Sequence, residues 1–190
     1  MARLDRLGAA KAVARLGAMI GRQFPYDLLH ALGSLDAATL QRQLGTLVEA
    51  EVFSQQGIPP QATYRFKHAL LQDAAYQSLP KRTRQQYHQR IARLLPVRFP
   101  EMVQHQPELL AHHSTEAGLS EQALHYWQLA GQHAIEHSAY VEAMAHLTQG
   151  LTVLQTLPDT RERAQCELTL HMALGQALAA THGWATHPRS

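Results

Sequence analysis

One stretch breaks the rhythm of a chain that otherwise repeats apolar residues at helical spacing, and it limits what the chain can fold into. Val52–Gln55 and Thr63–Phe66 flank a break at Gly57-Ile58-Pro59-Pro60, and the second run alternates Thr63, Tyr64 and Phe66 with the polar Arg65. These read as two short strands around a turn. Three helical segments precede them. Residues 8–20 are rich in Ala and Leu and stop at Gly21, and a short helix is expected from Pro25. Asp36 stands where an N-cap belongs, ahead of Leu40, Leu44, Leu47 and Val48 at i, i+4, i+7 and i+8.

Downstream of the hairpin the pattern is helical to nearly the end. Lys67–Leu79 stops at Pro80, and Thr83–Leu95 carries Tyr87, Ile91, Leu94 and Leu95 on one stripe. Further helices are expected over Pro107–Ala117, Ser120 (as cap) to His137, and Tyr140–Leu157. Asp159 and Glu162 read as a capping box for a last helix to about Ala180, with THGWATHPRS frayed beyond it. Ala123, Tyr126, Trp127, Ala130 and Gly131 recur twenty positions later as Ala143, His146, Leu147, Gly150 and Leu151. Small residues opposite large ones let helix backbones approach, as in stacked antiparallel helix pairs. The expected fold is mainly α: a winged-helix-like domain with one small hairpin over residues 1–100, then antiparallel helices over 101–190, stacked as a solenoid or packed as an ordinary bundle.

Charge divides the chain at the same place. Residues 1–100 hold 14 Lys and Arg against 6 Asp and Glu, whereas residues 101–190 hold 3 against 9, for a net charge of +2. Two modules with different surfaces are implied. No run of about 18 apolar residues exists to cross a membrane. The N-terminal apolar stretch is broken by Lys11 and Arg15, unlike a secretory signal, and the lone Cys166 permits neither an internal disulfide nor a cysteine zinc cluster. A cytoplasmic protein without a membrane partner is the expectation.

Three stretches, LDRLGAAKAVARLGAMIGRQF (Leu4–Phe24), TYRFKHALLQDAAYQSL (Thr63–Leu79) and QPELLAHHSTEAGLSEQALHYWQLAG (Gln106–Gly131), together resemble the region after the nucleotide-binding domain of bacterial STAND ATPases. Those signalling proteins are often fused to an adenylate/guanylate cyclase or a kinase domain. The resemblance implies a winged-helix-like domain over 1–100 that closes over a bound nucleotide and leads into tetratricopeptide-like sensor repeats over 101–190. Within the second stretch, Phe66-Lys67-His68-Ala69-Leu70-Leu71-Gln72-Asp73 resembles the family's methionine-histidine-aspartate type motif, whose histidine contacts the phosphates of ADP, and the resemblance thereby implies a nucleotide-sensing role for His68. Ala69 stands where relatives often carry an acid. No GxxxxGK[ST] phosphate loop occurs in the chain, so ADP or ATP would sit on an upstream nucleotide-binding domain, and this polypeptide is expected to be no enzyme by itself. A protein or small-molecule effector is expected on the helical repeats.

Other constellations have simpler explanations. His133-Ala134-Ile135-Glu136-His137 matches the H-x-x-E-H pattern of inverted zinc peptidases, and the i, i+4 imidazoles of His133 and His137 could share a metal. A third ligand is missing from the pattern, so two exposed histidines on a helix are expected and no metal is assigned. His112 and His113 point about 100° apart on a helix, one toward the core and one away. Cys166 is expected to be a buried apolar residue. Lys81-Arg82-Thr83-Arg84, with Arg90 and Arg93, raises the alternative of a winged-helix DNA-binding transcriptional regulator. The helix that would enter a groove, about Asp36–Ala50, carries only Arg42, and Glu49 and Glu51 would repel phosphates. Nucleic acid is therefore not the expected partner.

Overall fold

The computed structural model describes residues 7–185. The chain is mainly helical with one small antiparallel sheet. It divides into two compact units, Met1–Ile91 and Ala92–Ser190, with the division inside a helix rather than at Pro100, where the charge changes. Among the described residues no helix is long and apolar enough to cross a membrane.

The first unit runs α1 (Ala10–Ile20), β1 (Gln23–Pro25), α2 (Tyr26–Leu32), α3 (Ala37–Glu49), β2 (Phe53–Gln56), β3 (Thr63–Phe66), α4 (Ala69–Gln77) and the start of α5 (Lys81–Arg98). Gly21, at φ 153°, stops α1, and the Asp36 carboxylate caps α3 by accepting from the Thr39 amide at 2.9 Å. The expected hairpin forms, and a strand the sequence reading lacked joins it. β1 pairs antiparallel with β3, giving the order β1-β3-β2, with Phe24 opposite Tyr64 and Phe53 opposite Phe66. Three residues are too few to display a period of two, so β1 left no signal. Pro25 ends this strand and stands just before α2 rather than in its first turn.

Phe24, Phe53, Tyr64 and Phe66 are all buried, and the Phe53 and Phe66 rings meet edge to face at 4.7 Å. Helix α1 lies directly on this aromatic layer. A Cβ on Gly17 would stand 2.6 Å from Cζ of Phe24, so only glycine admits the ring there. Glu51, at φ 56°, closes α3, where the Val52 amide donates to the Leu47 carbonyl at 2.9 Å.

The second unit takes up the end of α5 and continues through α6 (Pro100–His105), α7 (Pro107–Ala117), α8 (Ser120–Glu136), α9 (Tyr140–Leu154) and α10 (Arg161–Ala185). Helix α5 continues past Pro96 to Arg98, and α6 is a turn and a half that the sequence reading did not contain. His105 is its last residue. Gly118, left-handed at φ 76°, turns the chain from α7 into α8. Helix α8 begins at Ser120 with Leu119 in the cap position. The Ser120 hydroxyl instead accepts from Thr156 at 3.1 Å, which fixes the start of α8 against the end of α9. Thr160, not Asp159, caps α10 by accepting from the Arg163 amide at 3.2 Å, while Asp159 pairs with the Arg163 guanidinium at 3.6 Å. The last helix reaches Ala185, beyond the expected end at Ala180; residues 186–190 lie outside the described residues.

Small residues receive large ones between successive helices, as the twenty-residue recurrence predicts. Leu147 of α9 fills the space over Gly131 of α8, and Leu170 of α10 lies against Gly150 of α9, 3.2 Å from where a Cβ would stand. The core is built from Ala123, Trp127, Ala130, Ala143, Leu147 and Leu170, with Cys166 half-buried at its edge.

Candidate functional site: the corner between β3 and α4

Phe66 is the last residue of β3 and is fully buried, so the chain is fixed at that point. The next two residues turn outward. The Lys67 amide donates to the Val52 carbonyl at 3.0 Å, and its ammonium donates to Glu51 Oε1 at 3.2 Å, tying the corner to the end of α3. His68 is extended (φ −130°, ψ 131°) and is the residue before α4. Its carbonyl accepts from the amides of Leu71 at 3.1 Å and Gln72 at 3.4 Å, whereas its imidazole is exposed and makes no capping bond.

Local chemistry at this corner favours an anion. The first turn of α4 contains no acidic residue, and Ala69 is the reason at its first position. The amide groups and positive dipole end of that turn therefore lack a carboxylate. Leu70, two residues after His68, is 80% exposed. The corner thus presents an imidazole, a helix start without an acidic residue and one large apolar side chain on the same surface segment. Neutral imidazole can donate one hydrogen bond to a phosphate oxygen, and imidazolium can add charge.

The pair His133 and His137 is arranged differently from a metal site. Their rings are 4.3 Å apart, and the Nδ1–H of His137 donates to the His133 carbonyl at 2.8 Å, as a side chain closing a helix end does. The Glu136 carboxylate accepts from Gln132 at 3.1 Å. Among the described residues no third His, Cys, Asp or Glu brings a ligand atom to this pair. His113 is buried and His112 exposed on α7.

Helix α8 carries a surface that single-residue reasoning had passed over. Three open grooves follow its length: one of about 440 Å³ beside Glu121, His125 and Gln128, one of about 300 Å³ beside Gln128, Leu129 and Gln132, and one of about 440 Å³ beside Gln132, His133 and Glu136. The polar stripe contains one exposed apolar residue, Leu129. That residue, at i+4 from His125 and i−4 from His133, was the available signal. Trp127 points the other way: it is buried, and its indole N–H donates to Thr115 Oγ1 at 3.0 Å. On α3 the exposed residues are Ala37, Ala38, Gln41, Arg42, Thr46 and Glu49, a face with a single cation.

Compared with known proteins, no family model matches the chain, and no solved structure matches it. The uncharacterized protein R02095 of Rhizobium meliloti (strain 1021) is 29% identical over 187 residues, a match covering 98% of this chain and 18% of that protein.

Proposed function

We propose that this chain is a non-catalytic regulatory and protein-interaction module of a STAND-type signalling ATPase. A winged helix would couple the nucleotide state of an upstream domain to a tetratricopeptide-like helical sensor. The observation that carries this reading is the exposed His68 imidazole, held at the start of α4 by a fully buried Phe66 and by a first turn without acids. Three further features support it. The order α1-β1-α2-α3-β2-β3 with the sheet order β1-β3-β2 is the arrangement expected of a winged helix. The helical pairs after Pro107 pack small residue against large, as stacked repeats do. The match of nearly the whole chain to 18% of a longer protein suits a segment that works beside other domains.

In this reading ADP sits on the upstream domain, and His68 donates to a phosphate oxygen to hold the closed, resting state. The α4 amides add to the attraction. An effector on the helical repeats would favour the open state, which couples two sites through one two-state element.

The test is the rate of ADP release from the full-length protein. His68→Ala is expected to speed release roughly tenfold, the loss of one hydrogen bond to a charged group, with His68→Gln in between. Equal rates in all three proteins would reject the clamp. A salt-titrated gel shift with duplex DNA separates this reading from a DNA-binding regulator, for which tight binding with a steep salt dependence is required.

A further inference from the structure

The first unit contains an apolar pocket of about 370 Å³ that the proposed function does not use. Its floor is Val13 of α1, Leu32 of α2 and Leu40 of α3, all at least 97% buried. Ala9 and Ala12, both exposed, leave one side open where larger residues would close it, and Leu35 forms a lip on the α2–α3 connection. A volume in this range suits a small organic molecule.

One edge is of a different character. Tyr87 and Arg90, three residues apart on α5, stand on the same side of the pocket, and Arg90 is exposed. Among the described residues no acid lines the pocket, and no hydrogen bond or ion pair engages the Arg90 side chain. The remaining polar groups at the mouth are the neutral Ser34, Thr39 and Gln43.

An apolar cavity with one cation and no anion among the described residues of its lining selects its occupant by chemistry. We propose that this pocket binds a small monocarboxylate with an apolar body, its hydrocarbon on Val13, Leu32 and Leu40 and its carboxylate on the Arg90 guanidinium. Arginine presents a planar pair of donors that matches both carboxylate oxygens, and a long aliphatic stem that can lie along the apolar wall. The neutral alcohol of the same chain would gain the burial and lose the charge-assisted pair. Binding here would cross-brace α1, α3 and α5, so a bound acid would stabilise the first unit. The pocket is separate from the His68 corner, and this inference stands whether or not the nucleotide reading does.

The experiment is calorimetric titration of the full chain with decanoate and, in parallel, with 1-decanol. Saturable binding of decanoate is expected, with the alcohol roughly tenfold or more weaker, the worth of a hydrogen bond to a charged partner. Arg90→Gln should weaken decanoate to the level of the alcohol and leave the alcohol unchanged. Because Arg90 is exposed, its far-ultraviolet dichroism should match that of the parent. Ala12→Phe, which adds a ring at the open side, should weaken both ligands. No saturable heat with decanoate overturns the proposal. Equal affinity for acid and alcohol, or an Arg90→Gln variant that binds decanoate as the parent does, overturns it as well.

Discussion

Leu147 occupies the space that a side chain at Gly131 would need: its Cδ2 and Cγ lie 2.5 and 2.6 Å from where a Cβ would stand. The two residues join α8 to α9 at contact distance, and the branch point of the leucine cannot swing aside as a chain end could. Gly131→Ala should therefore destabilise the second unit by about 1–3 kcal/mol in urea unfolding, the usual effect of overpacking. Gly45 and Gly175 are also inside helices, but a Cβ there meets nothing within 4 Å. Alanine at those positions should stabilise by roughly 0.5–1 kcal/mol. Leu147→Ala in the Gly131→Ala background should cost less than in the parent, a coupling that a double-mutant cycle would read.

His146 stacks on Trp127 with ring centroids 5.6 Å apart, and burial lowers its pKa although Glu108 and Glu142 push the other way. The folded state thus binds fewer protons at this site than the unfolded state. Stability is complete above the unfolded pKa, near 6.5, and falls as the pH drops through it toward the lower folded value. Urea midpoints at pH 8 and pH 5.5 should show this loss. His146→Gln should flatten the difference.

Ser138 ends α8 in the left-handed region at φ 58°, with its amide on the Ile135 carbonyl at 2.9 Å. It is exposed and follows the last helical turn. Ser138→Gly removes the Cβ penalty at a position that glycine prefers, and should stabilise by about 1 kcal/mol. Ser138→Val should lower the melting temperature instead.

Thr115 accepts from the Trp127 indole at 3.0 Å and donates its own hydroxyl to the Ala111 carbonyl at 2.9 Å. Thr115→Val keeps the shape and leaves the indole N–H without that acceptor. A loss of about 1–3 kcal/mol is expected, with a shift of the near-ultraviolet dichroism of the tryptophan.

Helices were legible where local spacing sufficed. Leu40, Leu44 and Leu47 are buried on one stripe of α3, and Asp36 caps it. The hairpin showed because Thr63–Phe66 alternates in full view of a turn. Strand β1 did not, because Phe24 becomes a strand residue only by facing Tyr64, forty residues away. The caps of α8 and α10 failed for a related reason. Ser120 and Asp159 are good cap residues, yet tertiary and ionic partners claim them: Thr156 for one, Arg163 for the other. At the candidate site, residue order alone sets His68 next to the buried Phe66, so the corner could be read from one short segment. The pocket near Arg90 could not, since Ala9, Leu35 and Arg90 converge only through the packing of four helices.

Strand β3 is bonded on both edges, by β2 on one side and by the three-residue β1 on the other. A two-stranded flap hinged at its turn could swing and dissipate a pull at its base. This strand cannot, because Phe24 pins it to α1 through the gap at Gly17. The strand that leads to His68 is thus tied to the first helix through rings from both of its neighbours, Phe24 of β1 and Phe53 of β2, which meet at Gly17.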